Sequence, residues 1–260
     1  MEDSRKVIIQ DIPGIPEIRP GDLLAEILIH AVEQSKQTFE GYDILVLAHK
    51  IVSKAEGRIV DLRDVIPSPE AFQLAEQVNK DPRKVEVILC ESQRIIRAER
   101  HPHKPEGVLI CEHKLGFVSA NAAVDESNVF SEEIVVLLPI DPDASARELR
   151  DTIQKKIGVN VGVIITDTFG RPWRLGLVNI AVGLAGVPAR IDLRGERDLS
   201  GHMLRATMPA FADEIAASAG LLMEKRGGKP AILIKGLQWE ITNSSAKELI
   251  RPKDEDLFLS

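Results

Sequence analysis

The stretch DILVLAHKIVSKAEGR, residues 43–58, runs an apolar segment straight into charged and hydroxyl side chains. Its first half, DILVLAH, lacks the polar alternation of a half-exposed strand, as expected of a strand covered on both faces. VGVIITD (161–167) reads the same way, and KPAILIKGL supplies a last strand. KVIIQDI (6–12) predicts a short strand ending at Pro13-Gly14, and GVLICEH with GFVSANAAV predicts two paired strands followed by a loop. Amphipathic patterns lie between these runs. From about Asp22, residues Leu24, Ile27, Leu28, Ala31 and Val32 share one helical face, and Ala71, Leu74, Ala75 and Val78 repeat that spacing within 69–79. DPDASARELRDTIQKKIG (141–158) is the clearest helix: Pro142 stands near its start, Ser145 and Glu148 have capping-box spacing, and Gly158 supplies the stop. PAFADEIAASAGLLMEK (209–225) sets Ala212, Ile215, Ala216, Ala219, Leu222 and Met223 on one stripe. Strand and helix patterns that alternate in this way predict a mixed α/β protein.

The chain has 260 residues, which fits one large domain or two intimate subdomains. Forty Asp and Glu against 33 Lys and Arg leave a formal charge of −7, which argues against coating nucleic acid or an anionic membrane as the main task. A hydrophobic content of 44% is too high for a disordered chain. The two cysteines, Cys90 and Cys111, form no C-x-x-C pair; this excludes a disulfide framework and a Cys-rich zinc site, and fits a reducing compartment. No secretory leader precedes Pro13 and no run approaches the ~18 apolar residues of a membrane span, so the expected location is the cytoplasm.

Three segments carry more chemistry than core packing requires. In AHKIVSKAEGR (48–58), His49, Lys50, Ser53, Lys54, Glu56 and Arg58 follow a buried strand, the place where open α/β folds present side chains to ligands. A solvated strand exit is the competing reading. In SANAAVDESNV (119–129), Asp125 and Asn128 stand among small residues that allow a ligand or metal to approach the backbone; an Asx-rich turn would use the same residues. In VGVIITDTFGRPWR (161–174), Asp167 beside Thr166 and Thr168 has the makings of an all-oxygen divalent site, and Arg171 and Arg174 suit bidentate contact with phosphate or carboxylate. A simple turn cap at Asp167 is the structural alternative. Gly227-Gly228-Lys229-Pro230 lacks the spacing and hydroxyl residue of a Walker loop, and no G-x-G-x-x-G, G-x-S-x-G or H-E-x-x-H occurs. His101, His103 and His113 cluster loosely around prolines and read as a surface loop rather than a metal trio.

Taken in order, PGIPEIRPGD, IVSKAEGR, ANAAVDESNV, LLPIDPDASARELR, IITDTFGRPWR, LRGERDLSG, ADEIAASAGLLM and ELIRPKDEDLF resemble the coenzyme F420:L-glutamate ligases, over about residue 12 to the C-terminus. That resemblance implies an α+β fold of mixed sheets with flanking helices in an intertwined homodimer. It implies one catalytic unit over residues 1–260, without the C-terminal nitroreductase-like domain that some members carry. The implied activity adds γ-linked L-glutamate to the deazaflavin precursor. GTP first phosphorylates a carboxylate, and glutamate then attacks the acyl phosphate. Mn2+ or Mg2+ is implied to neutralise developing charge, and a monovalent cation is a further ligand the family allows.

Carried over position by position, the resemblance assigns metal binding to Asp125, Asp167 and Thr168, with Glu224 (or Lys225) near the Gly227-Gly228 turn as a further ligand. It assigns nucleotide contact to Ile15, Pro16, Glu17, Ile18, His49, Lys50, Lys54 and Asn128. Lys54, Arg171 and Arg174 are the candidate catalytic cations. The expected partners are GTP, L-glutamate, the deazaflavin precursor and a second copy of the chain. A metal-dependent phosphohydrolase using Asp125 and Asp167, or a nucleotide-binding protein without catalysis, would employ the same residues.

Overall fold

The computed structural model describes residues 6–100, 103–126, 131, 133–224 and 227–256. Its main sheet joins β1 (Ile8–Asp11), β10 (Ala231–Lys235), β2 (Ile44–Ala48), β8 (Gly162–Arg171) and β9 (Arg174–Ala185), in the order β1-β10-β2-β8-β9. Only β2 and β8 run parallel; the other neighbours are antiparallel.

The unbroken apolar runs follow from burial on both faces, since successive side chains on a strand point to opposite sides. Leu45 and Leu47 of β2 join Val163 and Ile165 of β8 under Leu28, Ala31 and Val32 of α1 (Leu24–Gln34), Val52 of α2 (His49–Ala55) and Ile153 of α5 (Pro142–Ile157). Ile44 and Val46 face the other way, with Ile164 and Ile232, onto Ala212, Ile215, Ala216 and Ala219 of α6 (Phe211–Met223). The sheet is thus sandwiched between α1, α2 and α5 on one face and α6 on the other.

A second body of structure occupies the long crossover between β2 and β8. Strand β3 (Ile59–Asp61) pairs with β7 (Ile134–Val136). Between them α3 (Pro69–Val78) and α4 (Pro82–Glu91) pack Ala71, Ala75, Val78, Val85 and Ile88 against Leu109 and Cys111. The last two belong to the sheet of β4 (Ser92–Glu99), β5 (Val108–His113) and β6 (Val118–Ala120). Mixed sheets with flanking helices make this an α+β fold. No helix among the described residues is long and apolar enough to cross a membrane.

Three local expectations are corrected. AHKIVSKAEGR is not a strand exit: β2 passes directly into α2, so His49, Lys50 and Lys54 ride on a helix. The N-cap of α5 is Asp141, which accepts the Ala144 N–H at 2.9 Å, whereas Ser145 donates its hydroxyl to Glu56 at 2.5 Å. Asp143, next in that first turn, is buried and accepts from the Leu184 N–H of β9, the Ser245 hydroxyl and the Ala246 N–H, tying the C-terminal segment to the sheet edge. His113 does not lie on a surface loop either. It is buried in β5, while His103 is exposed and His101 lies outside the described residues.

Candidate functional site

The parallel register between β2 and β8 pairs Ala48 with Thr166, so the next residues, His49 just past the carboxyl end of β2 and Asp167 within β8, come together. His49 Nε2 lies 3.4 Å from Asp167 Oδ1. Asp125 arrives from a separate segment, held by an isolated bridge to Val136. Ligand atoms of His49, Asp125 and Asp167 all fall within 4.8 Å of one another. Next to them Lys50 Nζ contacts Asp125 Oδ2 at 2.8 Å.

These residues line a cleft of about 770 Å³. Its walls include the Ile15-Pro16-Glu17-Ile18 turn, Lys54, Thr168, Glu224 and Lys229. Lys54 is almost fully buried and bonds Glu17 Oε1 at 2.5 Å. Lys229 Nζ lies 3.5 Å from Asp11.

Burial governs the charges here. It pushes the Asp167 carboxyl above its ordinary range, and the nearby Asp125 charge adds to that push, while His49 and Lys50 oppose it. Burial likewise lowers the His49 imidazole, against the pull of Asp167 and Asp125. His49 Nε2 is buried without a hydrogen-bond partner among the described residues. Two carboxylates and an unsatisfied imidazole nitrogen so close together are a donor set that a divalent cation would satisfy, and Thr168 lines the same cleft. The oxygen-rich composition suits Mg2+ or Mn2+ better than zinc.

Most of the candidate positions named from sequence therefore gather in this cleft: Ile15 to Ile18, His49, Lys50, Lys54, Asp125, Asp167, Thr168 and Glu224. Asn128 and Lys225 lie outside the described residues. Arg171 and Arg174 are placed elsewhere. Asp167 does not end its strand; β8 continues through buried Phe169 to Arg171, and the two arginines flank the hairpin tip, outside the cleft lining. Sequence reasoning missed Asn179, Gly220 and Lys229 as cleft residues. For Lys229 the signal was present, since Gly227-Gly228-Lys229-Pro230 is no Walker loop yet still borders the cleft through Gly228, Lys229 and Pro230.

Comparison with known proteins adds an independent line. Residues 14–236 match the model of the family described as F420-0:Gamma-glutamyl ligase. The chain is 44% identical over 255 residues to the coenzyme F420:L-glutamate ligase of Methanopyrus kandleri, covering 96% of each chain. It is 43% identical to the protein of the same name from Methanothermobacter thermautotrophicus, covering 95% of this chain and 96% of that one. The Archaeoglobus fulgidus protein of that name is 40% identical, over 97% of this chain and 96% of its own.

Proposed function

Because this chain belongs to the F420-0:gamma-glutamyl ligase family, we propose that it joins L-glutamate in γ-linkage to coenzyme F420-0 at the expense of GTP, through an acyl phosphate. The observation that carries this reading is the convergence of His49, Asp125 and Asp167 in one cleft with Lys50, Lys54 and Lys229 around it. A carboxylate is a poor electrophile, so amide formation needs a leaving group first. Phosphoryl transfer supplies one and asks the protein mainly for positioning and charge neutralisation.

In this reading Asp125, Asp167 and Thr168 hold the divalent cation, with Glu224 nearby on the cleft wall. When bound, the cation offsets charge that develops on the transferred phosphoryl group. Lys50 and Lys54 bind nucleotide phosphates from one turn of α2, and the 15–18 turn packs against the nucleotide. His49 stands against the Asp167 carboxylate at 3.4 Å, and burial disfavours the charged form of its imidazole. No Ser or Cys is among the described residues that line the cleft, which favours direct attack by the glutamate amine over an acyl-enzyme.

We further infer a cytoplasmic homodimer. The β8–β9 hairpin supports the dimer by exposing Trp173, Leu175 and Leu177 together, more apolar surface than a lone hairpin tip ordinarily shows to water.

The test incubates the protein with GTP, Mn2+, L-glutamate and F420-0 carrying heavy oxygen in its terminal carboxylate. A product heavier by one glutamyl unit, with label in the released phosphate, is the expected result. Ligation without label in phosphate would overturn the acyl-phosphate route. Phosphate release that ignores glutamate would favour a phosphohydrolase, which the paired carboxylates would serve equally well.

A further inference from the structure

Asn179 stands directly opposite Thr168 in the β8–β9 ladder and is held at three points. Its Oδ1 accepts the Thr168 hydroxyl proton at 3.2 Å. Its Nδ2 donates to Met223 Sδ at 3.4 Å. Its side chain also lies so close to Gly220 that a Cβ there would come within 3.2 Å of Asn179 Cγ. Each contact restricts the next. A thioether can only accept, so the amide turns its N–H end toward Met223 and its oxygen toward Thr168. Gly220 sits inside α6, where glycine weakens a helix relative to alanine. The nearest atoms an added methyl would meet are those of Asn179.

We propose that Asn179 is a positioning residue for the cation site. It takes the Thr168 proton, so the hydroxyl oxygen keeps its lone pairs for the cleft, while Met223 and Gly220 fix Asn179 in turn. A hydroxyl ligates a cation through its lone pairs and must send its proton elsewhere. A partner that fixes this direction acts on affinity without touching the metal. The inference rests on the reading of Thr168 as a cation-holding residue.

The experiment measures Mn2+ binding to the full chain by electron paramagnetic resonance, with melting temperature recorded beside it. Thr168→Val, Asn179→Leu, their double variant and Gly220→Ala are compared with the native chain. Asn179→Leu should weaken Mn2+ about 10- to 100-fold. The double variant should bind no more weakly than Thr168→Val alone. Gly220→Ala should loosen Mn2+ in the same direction without lowering the melting temperature. Should Asn179→Leu fail to fold, Asn179→Ser, too short to reach Thr168, takes its place. Native affinity in the Asn179 variant, with Thr168→Val weakened, would overturn the positioning role and leave the cation site standing. Losses that simply add in the double variant would overturn it as well, because they mark a general structural effect. Native affinity in Thr168→Val would remove Thr168 from the site, and the inference with it.

Discussion

Replacing His113 by phenylalanine should flatten part of the acid side of the stability curve. His113 Nδ1 accepts the Leu115 N–H at 2.9 Å, so the neutral ring carries its proton on Nε2, which is buried without a hydrogen-bond partner. Burial lowers its pKa to about 4, and the positive charges of Arg58 and Lys114 push in the same direction. An unfolded chain protonates this ring near the ordinary value of 6.5. The stabilisation of the neutral form is therefore intact above about 6.5 and is lost progressively as the pH falls, the loss being complete near 4. That interval corresponds to about 3 kcal/mol, an order-of-magnitude figure for a ring that is 3% exposed. The substitution retains the parallel stack on Phe117, whose centroid lies 4.9 Å away, and gives up the Leu115 hydrogen bond, worth about 1 kcal/mol while the native ring is neutral. Urea unfolding of both proteins between pH 7 and pH 4 separates the two effects. The difference in stability should start with the native protein ahead and shift in favour of His113→Phe by about 3 kcal/mol as the pH drops. A pH-independent difference would refute the claim that this imidazole is held neutral.

Lys54→Met should leave the melting temperature nearly unchanged, since half-exposed Glu17 can rehydrate, yet weaken GTP binding about 10- to 100-fold, as loss of a charge-assisted contact does; native affinity by calorimetry would remove Lys54 from the nucleotide contacts. Arg174→Ala should retain native nucleotide affinity in a dilute, monomeric sample, and a loss seen only at concentrations where copies associate would mean that the hairpin reaches a second copy's cleft. Gly183→Ala would drive a methyl to 2.5 Å from the Pro142 backbone, so its unfolding free energy should fall by about 1–3 kcal/mol or more, and a neutral result in urea titration would mean that α5 can slide on β9.

Burial on both faces made the strands around Ile44–Ala48 and Gly162–Ile165 legible, because their residues carry no solvent-facing alternation. The same feature hid the extent of β8. Beyond Thr166 the strand emerges from the core, and only buried Phe169, alternating with Thr168 and Gly170, records that it continues. Segment 82–99 was harder still. Helix α4 buries Lys84 against Glu126 and Glu106, and β4 exposes half its residues, so neither shows a simple apolar stripe. In the site, His49, Asp125 and Asp167 could be named from their neighbours in the chain. Their mutual approach depends on the parallel register of β2 with β8 and on the Asp125–Val136 bridge, which no local pattern encodes. Asn179 was invisible for a related reason, since its importance comes from cross-strand and helix contacts 11 and 44 residues away in sequence.

The lysines of the cleft already have acidic company: Lys50 with Asp125, Lys54 with Glu17 and Lys229 with Asp11. On the proposed function, nucleotide capture would be an exchange of one anion for another rather than the filling of a bare positive basin. A small anion such as sulfate or inorganic phosphate would bring no cation to satisfy the carboxylates it displaces. A triphosphate arriving with its own divalent cation brings new partners for the released acids as well as for the lysines. On that reading selectivity against simple anions would reside in the resting ion pairs, and salt should weaken nucleotide binding less steeply than a count of three lysines would suggest.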